Sequence, residues 1–248
     1  MGLAAKSRFR QGRVPHTDIM LQAVALRQQE HFDARNKEMI LTDFNNLGLS
    51  GGLLKAVSEN GYASPTPIQE KAIPLILKGH DLLGLAQTGT GKTAAFGLPL
   101  IDRLLADGDV APKGGTRALI LAPTRELVNQ IAKNLISYLK TTPLRVTSVV
   151  GGVSINAQIK RLSRGTDILV ATPGRLLDLV DRKAVDLGTA SYLVLDEADQ
   201  MLDLGFIHAL RRISGLVRDE RQTLLFSATM PKQIEDLARS YLRNPERV

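Results

Sequence analysis

The chain has 248 residues, 44% of them hydrophobic, and no Cys, so it can bury one large core but lacks a disulfide framework and any thiolate metal site. No apolar run approaches the length of a transmembrane helix, and the absence of Cys suits a reducing compartment, so we expect a soluble cytoplasmic protein. The net charge of +7 favours a polyanionic partner, although a basic surface that only maintains solubility is an equally good explanation of charge alone.

Residues 1–38 differ from the rest of the chain. They lack Gly or Pro between periodic segments, and residues 1–17 contain Lys6, Arg8, Arg10 and Arg13 but no acid. We predict a flexible, dispensable extension. An Arg-rich start is also typical of organelle transit peptides, and that alternative stays open.

Residues 39–248 alternate between short apolar runs and segments with helical periodicity, which predicts an α/β domain with a mostly parallel central sheet and helices on both faces. Ligands bind such sheets at the carboxyl ends of the strands. The predicted strands are Asp81–Ala86, Ala118–Ala122, Arg145–Val150, Asp167–Ala171, Tyr192–Leu195 and Thr223–Phe226. The predicted helices are Thr93–Leu105, Glu126–Leu139, Ile155–Leu162, Arg175–Val180, Met201–Val217 and Lys232–Leu242.

A Gly-rich segment, AQTGTGKT at residues 86–93, follows the first predicted strand and opens a helix. Gly89 and Gly91 allow the backbone amides to turn toward an anion, and the helix amino terminus adds partial positive charge. We expect Lys92 to reach the β- and γ-phosphates of a nucleotide and the Thr93 hydroxyl to bind Mg²⁺. The general phosphate-loop pattern has Gly where this chain has Ala86.

A second segment, YLVLDEADQ, ends another predicted strand with acidic residues. Asp196 emerges first and is expected to hold Mg²⁺ through water. Glu197 is placed to orient and deprotonate an attacking water molecule. Asp199 is expected to pair with a neighbouring loop.

Taken together, AQTGTGKT and VLDEAD resemble the DEAD-box family of ATP-dependent RNA helicases, in which Ala86 is the usual residue. The resemblance implies a RecA-like P-loop NTPase domain that uses ATP and Mg²⁺, with Glu197, Lys92 and Asp196 as catalytic residues. GYASPTPIQ at residues 61–69 resembles the adenine-reading motif of the family, with Gln69 on the adenine edge and Phe44 stacked on the ring. The implied nucleotide-binding residues are Phe44, Tyr62, Pro67, Gln69, Gln87, Thr88, Gly89, Thr90, Gly91, Lys92 and Thr93.

APTREL at residues 122–127, GG at 151–152 and TPGR at 172–175 resemble the motifs with which the family grips an RNA strand through its backbone, which implies sequence-tolerant binding. FSATM at residues 226–230 resembles the motif that couples nucleotide state to domain closure, with Ser227 and Thr229 bonding to Asp199. The implied RNA-binding residues are Pro123, Thr124, Arg125, Gly151, Gly152, Thr172, Pro173, Gly174 and Arg175.

The family's working enzyme has a second lobe whose Arg residues complete the ATP site, and no run of the HRxGRxGR type occurs in this chain. An arginine finger contributes about 10³–10⁵ in rate. We therefore expect a monomeric first lobe, part of a longer protein that unwinds short RNA duplexes, which alone binds nucleotide but hydrolyses it very slowly. A DNA-directed motor of the same superfamily and a non-catalytic nucleotide- or RNA-binding platform are the alternatives.

Overall fold

The computed structural model of the chain describes residues 44–140 and 142–248. The predicted extension over residues 1–38 lies outside the described residues, as do residues 39–43 at the start of the predicted domain.

The described residues form seven strands: β1 (Leu82–Leu85), β2 (Thr116–Leu121), β3 (Val146–Val149), β4 (Thr166–Ala171), β5 (Tyr192–Leu195), β6 (Gln222–Ser227) and β7 (Glu246–Arg247). These strands form one sheet in the order β3-β4-β2-β5-β6-β1-β7, and every described strand pair is parallel. The predicted α/β class with a parallel sheet is confirmed.

The central strands β2, β4, β5 and β6 are buried at every position and mostly apolar, because both faces of the sheet are covered. Leu119 and Ile120, adjacent in β2, are both fully buried but belong to different core clusters. The helices on the two faces are α1 (Gly51–Glu59), α2 (Pro67–Leu77), α3 (Lys92–Asp107), α4 (Arg125–Tyr138), α5 (Ile155–Leu162), α6 (Pro173–Asp181), α7 (Ala198–Asp203), α8 (Ile207–Ser214) and α9 (Lys232–Tyr241). The cluster that contains Ile120 packs under α2, α3 and α4, and the cluster that contains Leu119 packs under α5, α6, α8 and α9.

The predicted single helix Met201–Val217 is wrong, because the chain forms α7 and α8 there with a break between them. Gly205 lies in the break with φ +80°, a conformation that ends a helix. The helical pattern continues on both sides of Gly205, so periodicity alone did not reveal the interruption.

Two helices and one strand were not predicted. The two helices α1 and α2 carry poor helix formers, with two Gly at the start of α1 and Pro74 inside α2. Strand β7 has two exposed residues and pairs with β1 through its backbone, so it carries no hydrophobic pattern.

Within the described ranges, no helix combines the length and apolar character needed to cross a membrane.

Candidate functional site

The loop between β1 and α3, residues 86–91, is called the glycine loop here. Gly89 and Gly91 have φ values of +86° and +89°. A Cβ atom on Gly91 would lie 2.4 Å from Nε2 of Gln69, so only glycine fits at this position. The Thr90 hydroxyl donates to the Gln87 carbonyl at 2.8 Å and tightens the turn. These left-handed residues before a helix amino terminus make the loop suitable for holding an anion.

The acidic segment, residues 196–199, follows β5 and meets the glycine loop at the same rim of the sheet. Lys92 Nζ lies 3.5 Å from Oδ1 of Asp196 and 3.7 Å from Oε1 of Glu197. The Thr88 hydroxyl donates to the same Glu197 oxygen at 2.6 Å. Thr93 is half-buried in the first turn of α3, directly after Lys92. The residues expected around a phosphate chain are therefore close together.

Lys92 and Asp196 form a buried charged pair, with only 5% and 1% of their surfaces exposed. Within the described part of the chain, neither Lys92 Nζ nor Asp196 Oδ1 has a hydrogen-bond partner. Burial raises the pKa of Asp196 to about 6; the Lys92 charge opposes this rise and the Glu197 charge adds to it. A buried ammonium group and a carboxylate oxygen without partners fit a phosphate group and a hard divalent cation.

The raised pKa of Asp196 makes the stability of the nucleotide-free chain depend on pH. The unfolded-state pKa is near 3.8, so the native state binds more protons between pH 3.8 and about 6, and stability falls as pH rises through this window. A shift of about two units corresponds to about 3 kcal/mol. We expect Asp196→Asn to remove most of this dependence and to stabilise the chain above pH 6.

Urea unfolding of both proteins in EDTA, at about pH 4.5 and about pH 7.5, measures the effect. Wild type should lose stability relative to the variant as the pH rises. Parallel pH profiles for the two proteins would show that Asp196 does not carry this protonation in the native state.

Glu197 adopts an unusual backbone conformation, with φ 55° and ψ 54°, directly before α7. The left-handed region costs a non-glycine residue about 1–2 kcal/mol. Such strain is concentrated at functional sites, where the surrounding structure holds the residue in place. Nothing in the sequence indicated this conformation.

Asp199 joins the acidic segment to the turn after β6. Its Oδ2 accepts from the amides of Ala228 at 3.2 Å and Thr229 at 3.0 Å and from the Thr229 hydroxyl at 3.0 Å. Burial raises the pKa of Asp199, but the bonds from Thr229 and Gln200 outweigh burial and hold the pKa below its usual value. The expected contact with Thr229 is present.

Ser227 also lies beside Asp199 and helps to hold the pKa of that carboxyl below its usual value. Its hydroxyl donates to the Thr229 carbonyl at 2.8 Å. The side chain is fully buried at the end of β6, where it closes the turn that presents Thr229 to Asp199.

Gln69 lies in the first turn of α2 and is 1% exposed. Its Oε1 accepts from the Thr66 amide at 3.0 Å, and its Nε2 donates to the Gly91 carbonyl at 3.1 Å. Gln69 therefore connects its own helix start to the glycine loop. The sequence predicted that Gln69 contacts adenine, but it did not predict that Gln69 also supports the glycine loop.

The other upstream residues divide between core and surface. Phe44 is 1% exposed and packs edge-on to Tyr62, with ring centroids 6.2 Å apart, so in this arrangement its ring has no open face for a base. The Tyr62 hydroxyl is hydrogen-bonded to that of Tyr138 at the end of α4. Pro67 is exposed and lines a cavity of about 300 Å³ with Ala86 and other neighbours of the glycine loop.

A second group of loops follows the neighbouring strands β2, β4 and β3 and is called the strand-end rim; it comprises residues 123–125, 151–153 and 172–175. Arg125 is exposed, and its guanidinium approaches Gly152 so closely that a Cβ there would lie 2.3 Å from Nη1. Arg175 Nη1 donates to the Val153 carbonyl at 3.0 Å. These two contacts tie the three loops into one surface.

The remaining rim residues vary in exposure. Thr124 caps α4 by accepting from the Leu127 amide at 3.2 Å, which leaves its hydroxyl hydrogen free to donate. Thr172 and Pro173 are buried at the start of α6, and Gly174 is exposed. Pro123 is buried and Gly151 is half-buried.

Gln158 is a supporting residue that the sequence analysis missed. It is fully buried in α5, its Oε1 accepts from the Val150 amide at 3.1 Å, and its Nε2 donates to the Val150 carbonyl at 3.2 Å. It therefore fixes the start of the Gly151–Gly152 loop. A Gln at a position on the apolar face of a helix is the pattern that could have revealed it.

Comparisons with known proteins agree on one family. The family described as DEAD/DEAH box helicase matches residues 66–237. The chain is 48% identical over 205 residues to DEAD-box ATP-dependent RNA helicase 24 of Arabidopsis thaliana, covering 83% of this chain and 27% of the relative. It is 46% identical over 206 residues to RNA helicase CrhR of Synechocystis, covering 83% and 41%.

A solved structure is also similar, that of a DEAD box protein from the hyperthermophile Methanococcus jannaschii. The TM-score is 0.76 at 40% identity, over 83% of this chain and 55% of that chain. The chain spans less than half the length of the Arabidopsis thaliana and Synechocystis relatives.

Proposed function

Because the chain belongs to the DEAD/DEAH box helicase family, we propose that it is the ATP-binding lobe of an ATP-dependent RNA helicase. Its parallel α/β fold is the RecA-like fold expected for this family. The observation that carries the proposal is the buried Lys92 ammonium, which lies beside Asp196 and Glu197 at the end of the glycine loop and has no hydrogen-bond partner in the described chain.

In this proposal the glycine loop wraps the phosphates of ATP, and Lys92 bonds to the β- and γ-phosphate oxygens. The distance of 3.5 Å to Asp196 is long for a hydrogen bond, so Lys92 gives up no well-formed hydrogen bond when it turns to a phosphate, and a cation bound at Asp196 would replace its charge. Thr93 and Asp196 would hold Mg²⁺, Asp196 through water, and the bound cation neutralises charge on the phosphates. The partnerless Oδ1 of Asp196 supports this role.

Glu197 would orient a water molecule for attack on the γ-phosphate and accept its proton. One of its carboxylate oxygens, Oε1, is held by Thr88 and lies 3.7 Å from Lys92. The strained backbone of Glu197 and this hydroxyl contact limit the positions that the carboxylate can take. A fixed carboxylate is what general-base catalysis needs.

Gln69 would distinguish adenine from guanine. Its amide offers two donor and two acceptor positions, of which the structure uses one each, on Gly91 and Thr66. One N–H and one lone pair remain for the donor and acceptor pair on the edge of adenine; since Gln69 is 1% exposed, adenine would reach them only after the atoms that cover them move. Since Gln69 also bonds to the glycine loop, base recognition and phosphate binding would be linked through one side chain.

The strand-end rim would bind the backbone of a single RNA strand. Arg125 and Arg175 supply charge, while Thr124, Thr172 and the backbone amides near Gly151 supply hydrogen bonds. These contacts carry no base information, so binding would be sequence-tolerant. The bonds between Asp199 and Thr229 would link the acidic segment at the nucleotide to the turn after β6, and so transmit the nucleotide state.

A second lobe would complete the catalytic site, and the isolated chain would hydrolyse ATP very slowly. The test is a chimera that joins this chain to the second lobe of a DEAD-box relative. We expect its ATP hydrolysis to rise more with RNA than with DNA of equal length and sequence, because the 2′-hydroxyl distinguishes the two. The isolated chain serves as the control.

Stronger stimulation by DNA would contradict the proposed substrate and favour a DNA-directed motor. Multiple-turnover hydrolysis by the isolated chain would contradict the need for a second lobe. ATP binding by the chain without any hydrolysis by the chimera would favour a non-catalytic platform.

A further inference from the structure

One long segment of the domain is basic and contains no acid. Residues 127–166 contain six Lys or Arg and no Asp or Glu, whereas the whole chain has 32 basic and 25 acidic residues for a net charge of +7. This segment covers most of α4, β3, α5 and the loops between them. Four of the six residues, called the basic surface here, are Arg145, Lys160, Arg161 and Arg164.

The basic surface lies at the end of the sheet opposite to the strand-end rim. Arg145 directly precedes β3, and Lys160, Arg161 and Arg164 lie at the carboxyl end of α5 or just after it. Arg145 Nη2 donates to the Arg164 carbonyl at 3.4 Å, which brings two cationic residues together. All four residues are exposed.

The basic surface is not balanced by acids. Within the described ranges, none of its four residues has a carboxylate within salt-bridge distance, whereas Arg212 on α8 is paired with Asp181. The acid that follows the segment, Asp167, is buried and lies 3.5 Å from the Arg117 guanidinium. Like charges held close together without counter-charges favour an anionic ligand.

The basic surface is connected to the strand-end rim by one face of α5. Asn156 and Lys160 are exposed one turn apart on α5, and exposed Arg164 follows just after the helix ends, so a polar stripe runs along α5 to the basic surface. The stripe begins beside the Gly151–Gly152 loop, and the eight residues of α5 span about 12 Å. None of the exposed large apolar side chains of the described residues lies between positions 154 and 166.

We propose that the basic surface binds backbone phosphates of RNA that continues past the strand-end rim along α5. This inference rests on the proposed RNA function and enlarges the RNA footprint of the lobe. Continuity with the rim favours RNA over an acidic protein, and so does the polar stripe, because protein interfaces have an apolar or aromatic centre. Each phosphate that a Lys or Arg neutralises releases counterions and makes binding more sensitive to salt.

The test compares the chain with a triple variant, Lys160→Gln, Arg161→Gln and Arg164→Gln. A control variant with the same loss of charge, Lys55→Gln, Lys78→Gln and Arg239→Gln, removes exposed cations on α1, after α2 and on α9. Fluorescence anisotropy at several salt concentrations measures binding of single-stranded RNA of about six and about twenty nucleotides.

For the longer strand, we expect the triple variant to bind about tenfold more weakly, with a salt slope reduced by about two, since each single-strand contact contributes about 0.7. The shorter strand should bind equally to all three proteins, because the rim is unchanged. Thermal unfolding should be the same for all three, since every substituted residue is exposed.

Equal affinities and salt slopes of the triple and control variants on the longer strand would overturn the proposal. So would an equal weakening of both strands in the triple variant, which would indicate general electrostatic attraction. Failure of the unaltered chain to bind the shorter strand would contradict the RNA function of the rim itself. Tighter binding of poly-glutamate than of the longer RNA would assign the basic surface to an acidic protein.

Discussion

Glu197→Gln is expected to lower ATP hydrolysis by the two-lobe chimera by about 10²–10⁴-fold, the usual contribution of a general base. The amide can still accept from the Thr88 hydroxyl, so the geometry of the acidic segment should persist. It cannot take a proton from water. ATP binding should be unchanged or slightly tighter, because Glu197 no longer competes with phosphate for the Lys92 ammonium 3.7 Å away.

Single-turnover hydrolysis and equilibrium binding of a fluorescent ATP analogue measure the two effects separately. Glu220→Gln is the matched control, since Glu220 is exposed in the loop before β6. Equal losses of binding and hydrolysis in Glu197→Gln would show that Glu197 is needed to form the site. Unchanged hydrolysis would exclude Glu197 as the base.

Lys92→Ala is expected to weaken ATP binding by about 10- to 150-fold, which corresponds to loss of charge-assisted hydrogen bonds worth about 1.5–3 kcal/mol. Binding of AMP should change little, because Lys92 is expected to reach only the β- and γ-phosphates. The variant should also be less stable above pH 6, since Asp196 then lies buried beside Glu197 without its cation. That deficit should shrink in acid as Asp196 takes up a proton.

Isothermal titration with ATP, ADP and AMP, together with unfolding at two pH values, tests this division of roles. Lys78→Ala provides the control, because Lys78 is an exposed residue after α2. Equal weakening for AMP and ATP would show that Lys92 supports the loop rather than the outer phosphates. Full ATP affinity in Lys92→Ala would contradict the nucleotide site.

These two predictions have a common basis in the nucleotide-free site. Lys92 lies between two carboxylates that hold it in place but do not hydrogen-bond to it well. Phosphate oxygens can therefore take Lys92 as a partner at little cost, while a cation can take Asp196. The site is pre-organised, with one ammonium held beside two carboxylates.

Most of the fold could be predicted because a parallel sheet covered on both faces requires strands with continuous apolar runs. Ala118–Ala122 and Tyr192–Leu195 were visible for that reason and form β2 and β5. Strand β7 was not visible, because its two residues pair only through their backbone. The break at Gly205 was hidden because the apolar pattern continues across it.

The sequence by itself determined most of the alternation of strands and helices along the chain, the glycine loop and the acidic segment, since each depends on residue types within a few positions. Only the tertiary structure decided that Lys92 is buried between Asp196 and Glu197, that Gln69 bonds to Gly91, and that Phe44 faces the core. The contacts of Lys92 and Gln69 join residues 22 to 105 positions apart, and the burial of Phe44 depends on what surrounds its ring; local pattern carries no information about either. The same holds for the basic surface, whose charges were countable in the sequence but were brought together only by the pairing of β3 with β4.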